Sequence, residues 1–151
     1  MIEKLINSNI DVATTIRSVF QLSYAVEAKL LNATNFPPLQ RPLEDYKHCE
    51  TSFYGFFKNK ELAGVIEIHQ DNDATYINSL VVSPKYFKLG IASQLLEFVF
   101  NTFKTKQFFV ETGLQNEPAT QLYTKFGFKE IKQWDTDHGV RKVKFECTRE
   151  F

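Results

Sequence analysis

Long apolar runs are missing from this sequence, and no stretch approaches the ~20 consecutive residues that a membrane-spanning helix requires. The opening segment, MIEKLINSNIDVATTIRS, also lacks the apolar core and small-residue cleavage site of a secretory signal. A basic excess is absent too, because 18 Lys and Arg balance 18 Asp and Glu, whereas nucleic-acid binders normally carry a basic surface. We therefore expect a cytoplasmic protein that binds neither a membrane nor a nucleic acid.

Cysteine and histidine are scarce. Cys49 and Cys147 lie far apart with no ligand spacing around them, and the histidines His48, His69 and His138 are scattered. Two free thiols are the simplest interpretation in a cytosolic protein. We expect no metal site.

Apolar residues, by contrast, are plentiful. They make up 43% of the 151 residues, and a chain of ~150 residues buries roughly 70% of its unfolded surface. No repeat, low-complexity tract or linker divides the chain. We expect a single domain over residues 1–151.

The hydrophobic pattern predicts the element order β-α-α-β-β-β-α-β-α-β-β, an α/β fold with one mixed central sheet flanked by helices. The segments between the three middle strands are short and polar, which favours antiparallel hairpins. The strand–helix–strand that follows implies one right-handed parallel crossover. The first helix is expected to be capped by Asp11 and to run to about Leu31, with Val12, Ile16, Val19, Phe20, Val26 and Leu30 on its inner face. The other predicted segments are strands 2–6, 52–58, 61–70, 75–82, 106–112, 128–134 and 140–147, and helices 43–49, 90–103 and 117–126.

The segment SPKYFKLGIASQLL (residues 83–96) joins a predicted strand to a predicted helix through a short turn. Unpaired N–H groups and the helix dipole make a helix N-terminus attractive to anions. Gly90 and Ala92 leave space for a diphosphate, and Lys85 and Lys88 add positive charge. The two-glycine dinucleotide fingerprint and the P-loop are both absent. An ordinary turn with lysines in solvent explains these residues equally well.

The segment NEPATQLYTKFGF (residues 116–128) has the pattern of a capped helix. Asn116 is a suitable N-cap, Pro118 suits the first turn, and Gly127 suits a left-handed stop. Ala119 and Tyr123 are four residues apart and share a face. A small residue beside a tyrosine can line a narrow channel with a phenol at its end, although a core aromatic is the ordinary alternative.

Taken together, VVSPKYFKLGIASQLL and NEPATQLYTKFGF resemble the acetyl-CoA-binding core of the GNAT superfamily of N-acetyltransferases, over about residues 75 to 130. The likeness is specific in the second segment and looser in the first. It implies that the strand ending at Val82 splays from its parallel neighbour and that the pantetheine arm inserts between them. The cofactor-binding residues that it implies are Leu80, Val81 and Val82 for the pantetheine, Phe87, Lys88, Leu89, Gly90, Ile91, Ala92 and Ser93 for the pyrophosphate, and Asn116 and Ala119.

Phe87 departs from the family pattern, which usually reads Gln/Arg-x-x-Gly-x-Gly/Ala. A phenyl ring cannot donate a hydrogen bond to a phosphate. Losing one charge-assisted hydrogen bond costs roughly 1.5–3 kcal/mol if nothing replaces it. We expect weaker acetyl-CoA binding unless the backbone or a lysine compensates.

The resemblance also implies catalytic roles. Tyr123 is the expected general acid for the departing thiolate, and Glu111 is the expected base. Glu111 precedes Tyr123 by twelve residues, as the catalytic glutamate does in GNAT members resembling the N-terminal-alanine acetyltransferases of ribosomal proteins. Glu67, His69 and water remain alternatives as the base. For Glu111, Glu67 and His69 alike, the ordinary interpretation is a solvated or ion-paired strand residue without a catalytic role.

The sequence says less about the pocket that would bind the acceptor. In this fold it is shaped by the first two helices with their loop and by the last hairpin. The leading interpretation is an acetyl-CoA-dependent N-acetyltransferase acting on a primary amine, of a small molecule rather than a peptide. A non-catalytic acyl-CoA sensor or interaction module is the alternative, and a homodimer stays open because edge strands of such sheets often pair. The residues expected near the acceptor are Phe36, Pro37, Pro38, Leu39, Tyr46, Trp134, Asp135 and Asp137.

Overall fold

The computed structural model describes residues 1–150 and contains one seven-stranded sheet with strand order β1-β2-β3-β4-β5-β7-β6. The predicted order of elements is confirmed, with two short 3-10 turns added at Pro37–Gln40 and Pro84–Tyr86. The strands are β1 (Ile2–Leu5), β2 (Ser52–Lys58), β3 (Glu61–Asp71), β4 (Ala74–Val82), β5 (Gln107–Gly113), β6 (Lys129–Asp135) and β7 (Arg141–Thr148). The helices are α1 (Ile10–Leu30), α2 (Leu43–His48), α3 (Ile91–Thr102) and α4 (Glu117–Lys125).

Helices cover the sheet on both faces. The larger core lies under α3 and α4, where Leu95, Leu96, Val99 and Tyr123 meet the strands. The smaller core joins α1 and α2 to β1–β4 through residues such as Phe20 and Phe53. No helix within residues 1–150 is long and apolar enough to cross a membrane. The same residues hold no group of three His, Cys, Asp or Glu side chains placed to bind a metal ion.

The start and the inner face of α1 differ from the prediction. Asn9, rather than Asp11, is the N-cap, and its Oδ1 accepts from the backbone N–H groups of Asp11 (2.9 Å) and Val12 (3.1 Å). Leu30 was predicted to face inward but is 47% exposed. The inner face turns polar beyond Phe20, because there the helix borders a cavity rather than the core.

Strands β4 and β5 form the one parallel pair of the sheet, and they separate partway along. They are paired from Ala74 and Gln107 to Ile77 and Val110. Beyond that point β5 continues to pair with β7 as far as Gly113, while β4 continues to pair with β3.

The separation of β4 from β5 beyond Ile77 and Val110 is called the splay here. A register shift in β4 lies where the splay begins. Glu67 is opposite Ser79 and Ile68 is opposite Ile77, so Asn78 has no partner on β3. An extra residue of this kind bends a strand and strengthens its twist. The bend turns the end of β4 away from β5 and exposes its edge from Asn78 to Val82.

Candidate active site

The splay opens into a cavity of about 450 Å³ bordered by α1, the loop before α2, both separated strands and α4. A second cavity of about 490 Å³ lies beside it and reaches towards Thr51 and Lys144. The two cavities meet at the splay, so a ligand between the strands reaches both. The residues that line both are Arg41, Ile77, Asn78, Ser79, Val110, Glu111 and Lys142.

The turn after β4 presents a run of free backbone donors. The N–H groups of residues 88–93 donate to no acceptor within residues 1–150, whereas the N–H of Gln94 already bonds to Gly90 O (3.1 Å). Lys88 and Gly90 have positive φ angles of 64° and 78°. Successive N–H groups in such a turn form a concave anion-binding site, which the N-terminus of α3 reinforces.

Two details of this turn differ from the sequence expectation. The N–H of Phe87 donates to Pro84 O (3.1 Å), so its amide is not available to a phosphate. Lys85 pairs with Glu61 at 2.8 Å, which neutralises its charge. Lys88 has no ion-pair partner among the described residues. The free donors therefore begin at Lys88.

Tyr123 projects from α4 into the cavity. Its ring is 5% exposed and packs against Phe128 and Phe145. Its hydroxyl has no hydrogen-bond partner within residues 1–150 but is not sealed off from solvent. Burial raises the pKa of Tyr123 far above its usual range, and the nearby Glu27 and Tyr24 raise that pKa further. The phenol therefore keeps its proton at neutral pH.

Asn116 combines capping with a contact across the molecule. Its Oδ1 accepts from the N–H of Ala119 (3.3 Å), which caps α4 as predicted. Its Nδ2 donates to Glu27 Oε1 (2.5 Å) and lies 3.5 Å from Thr112 Oγ1. The side chain thus ties α4 to α1 at the open end of the splay.

Glu27 is the residue of this cavity that sequence reasoning missed. Burial raises the pKa of its carboxyl group, while the hydrogen bond from Asn116 and the charge of Lys142 lower it. A signal was present: Phe20, Tyr24, Glu27 and Leu31 follow one another at helical spacing. Apolar periodicity overlooks such a stripe because two of its members are polar.

Glu111 is the first residue of β5 beyond the last pair with β4. It borders both cavities, and its side chain is 42% exposed. Its Oε1 lies 3.3 Å from Lys142 Nζ. This carboxylate reaches both the splay and bulk solvent.

Glu67 has a different environment. It is 2% exposed, and Arg41 donates to both of its oxygens at 2.8 and 3.0 Å. Thr51 and Ser79 also donate to it, at 2.7 and 2.9 Å. With four donors on its two oxygens, Glu67 anchors the loop before α2 to the sheet. His69 lies against Tyr76 and borders neither cavity.

Comparison with known proteins decides the family. Residues 20–128 match the family model described as the acetyltransferase (GNAT) family. The chain belongs to the GNAT acetyltransferase family. The matched region contains the splay, the turn of residues 88–93 and α4.

Relatives of this GNAT acetyltransferase include the UPF0157 protein YqkA of Bacillus subtilis, 33% identical over 93% of this chain, which spans only 41% of the length of YqkA. Streptothricin acetyltransferase from Escherichia coli is 30% identical over 75% of this chain and 68% of that protein. A crystal structure of PaiA N-acetyltransferase from Thermoplasma acidophilum in complex with coenzyme A superposes with a TM-score of 0.77. It is 20% identical, and the match covers 99% of both chains.

The geometry of the splay and of the turn after β4 fits a CoA thioester. The free N–H groups of residues 88–93 suit a diphosphate, and a Cβ built on Gly90 would meet no atom within 4 Å. The uncovered edge of β4 contains Leu80, Val81 and Val82, where the resemblance expects the pantetheine. Ala119 leaves space on the α4 side of the cavity.

The expected acceptor walls are present in part. Phe36, Pro37 and Pro38 line the cavity, and His138 joins them with its ring 6.2 Å from that of Phe36. Tyr46 instead lies fully buried in the core between α1 and α2. Trp134 lies outside the cavity on β6, beneath Lys132. The part of the cavity where the acceptor is expected is therefore built mainly by α1 and the loop that follows it.

Proposed function

We propose that this protein transfers an acetyl group from acetyl-CoA to a primary amine of a small molecule. One observation carries the proposal: beyond the splay the edge of β4 is uncovered and leads along the chain to the free amides of residues 88–93, while a protonated tyrosine lines the cavity that the splay opens. Acetyl-CoA supplies an activated thioester carbonyl when bound. The name of the streptothricin acetyltransferase, a relative, supports a small-molecule acceptor.

The N–H groups of residues 88–93 would hold the diphosphate, and the edge of β4 from Leu80 to Val82 would hold the pantetheine amides. Backbone N–H groups at this edge would also polarise the thioester carbonyl, as in an oxyanion hole. Burial strengthens such interactions because the surroundings have a low effective dielectric. Phe87 contributes no donor from either its side chain or its amide.

Tyr123 would donate a proton to the departing thiolate. Its hydroxyl is protonated at neutral pH and has no partner within residues 1–150, so it is free to donate to the sulfur of a bound thioester. The acceptor ammonium must lose a proton before attack. We assign that step to Glu111, because it lies at the splay and is open to solvent.

Tyr123→Phe tests this assignment. The variant keeps the ring and its packing on Phe128 but removes the proton donor, so turnover should fall by roughly 10²- to 10⁴-fold. Acetyl-CoA affinity, measured by titration calorimetry, should be unchanged. Thiol release with an amine panel gives the turnover. If acetyl-CoA binds and no amine is acetylated by the wild-type protein, the protein is an acyl-CoA sensor instead.

A further inference from the structure

The charges of the cavity leave one carboxylate without an ionic partner. Arg41 is bound to Glu67 and Asp45, and Lys142 is bound to Glu111. Glu27 forms no ion pair within residues 1–150, and its one hydrogen-bond partner there is the neutral amide of Asn116. Removing a carboxylate from water is costly, and the nearby charge of Lys142 is already paired with Glu111, so this position is unfavourable unless a ligand compensates it.

The free oxygen of Glu27 is accessible from the cavity. Asn116 occupies Oε1, while Oε2 has no partner among the described residues and is not buried away from solvent. Tyr24 and Tyr123 line the same cavity, and both phenols have pKa values raised by burial and by Glu27. A donor entering the cavity therefore meets one open carboxylate oxygen in a space that two tyrosines also line.

Asn116 fixes the direction of this oxygen. It is held by its own capping bond to Ala119 N and is 8% exposed, so it is a rigid donor. Its 2.5 Å hydrogen bond to Oε1 orients the carboxylate from α4, although Glu27 itself belongs to α1. The cap of α4 thereby connects the acetyl-CoA side of the splay to the acceptor side.

We propose that Glu27 Oε2 receives the positively charged ammonium group of the acceptor and so restricts this enzyme to amines that are cationic at neutral pH. The inference rests on the proposed function and names its substrate class: primary alkylamines rather than arylamines or amides. Glu27 would bind the ammonium group, and Glu111 would pass its proton to solvent. Other charged or titratable groups that face the cavity are Tyr24, Arg41, Glu111, Tyr123, His138 and Lys142.

The test compares benzylamine, which is an ammonium ion at neutral pH, with aniline, which is neutral. Both are titrated by NMR into protein saturated with CoA, which cannot react. Glu27→Gln preserves the hydrogen bond from Asn116 but removes the charge. Benzylamine should bind this variant roughly tenfold or more weakly, the scale of one lost charge-assisted hydrogen bond, while aniline binding should not change. Glu97→Gln, which removes an exposed carboxylate from α3, should change neither.

Benzylamine affinity within about twofold of the wild-type value in Glu27→Gln would overturn the inference, as would a failure of the CoA-loaded wild-type protein to bind benzylamine. A measurement without any variant guards against misfolding: wild-type affinity for benzylamine should fall as the pH is lowered and Glu27 takes up a proton. CoA affinity is measured in the same series. Failure of the wild-type protein to bind CoA would refute the proposed function, whereas normal CoA binding with no effect of Glu27→Gln on benzylamine would refute this inference alone.

Discussion

At the scale of single residues, the site distributes three carboxylates by their surroundings. Glu67 is saturated with donors, Glu27 is half-buried with one open oxygen, and Glu111 is ion-paired and exposed. The position of each glutamate in the sequence carries no information about these differences, because the donors come from distant segments. The resemblance to a family therefore indicated Glu111 as the base, whereas the place of Glu27 in the cavity was visible only in the structure.

Glu111→Gln is the residue-scale prediction. If Glu111 accepts the proton of the acceptor, turnover should fall by roughly 10²-fold or more, and the dependence of kcat on pH should change shape. Acetyl-CoA affinity should remain, because the two cavities that Glu111 lines include none of the residues 88–93 whose amides are free. If the pH profile of this variant matches that of the wild type, Glu111 is not the base, and Glu27 or water removes the proton instead.

At the scale of elements, most boundaries were predictable because turns and periodicity specify them locally. Strand β2 begins and ends at the predicted residues, and Gly127 ends α4 with a φ of 93°, as expected for a left-handed stop. The second half of α1 was not predictable from apolar spacing, since Leu30 is exposed while Tyr24 and Glu27 line the cavity. Elements that border a cavity keep polar residues on their inner face.

The turn between β4 and α3 carries the element-scale prediction. Gly90→Asn and Gly90→Asp are nearly isosteric, and both residue types tolerate a positive φ better than others do. Only the aspartate brings a negative charge to the amides of residues 88–93. Acetyl-CoA should bind Gly90→Asp more weakly than Gly90→Asn by about 1–3 kcal/mol, or roughly 5- to 150-fold. Equal affinities in titration calorimetry would remove this turn from the cofactor site.

At the scale of the whole molecule, one splay organises both halves of the protein. The N-terminal half contributes α1, whose Glu27 faces the cavity, and the C-terminal half contributes α4 with Asn116 and Tyr123. The hydrogen bond between Glu27 and Asn116 spans 89 positions of sequence. The order of elements along the chain followed from local patterns and the resemblance, but a contact at such separation depends on how the helices pack across the sheet.

This contact gives the protein a dependence of stability on pH. The pKa of Glu27 is raised in the folded state, chiefly by burial. A raised carboxyl pKa stabilises the fold at low pH, where the group is protonated, and this contribution is lost as the pH rises from about 4, the unfolded value, through the folded value. Glu27→Gln cannot ionise and escapes that loss.

The free energy of unfolding of Glu27→Gln should therefore exceed that of the wild type at pH 8, and the difference should shrink as the pH falls through the folded pKa of Glu27 towards about 4, the unfolded value. Urea denaturation across this pH range, without CoA, measures it, and Glu97→Gln serves as the control because its carboxylate is exposed on α3. If Glu27 instead holds α1 against α4 as a stabilising anion, the variant will be the less stable protein at pH 8. The sign of one difference thus separates a carboxylate retained for a ligand from one retained for the fold.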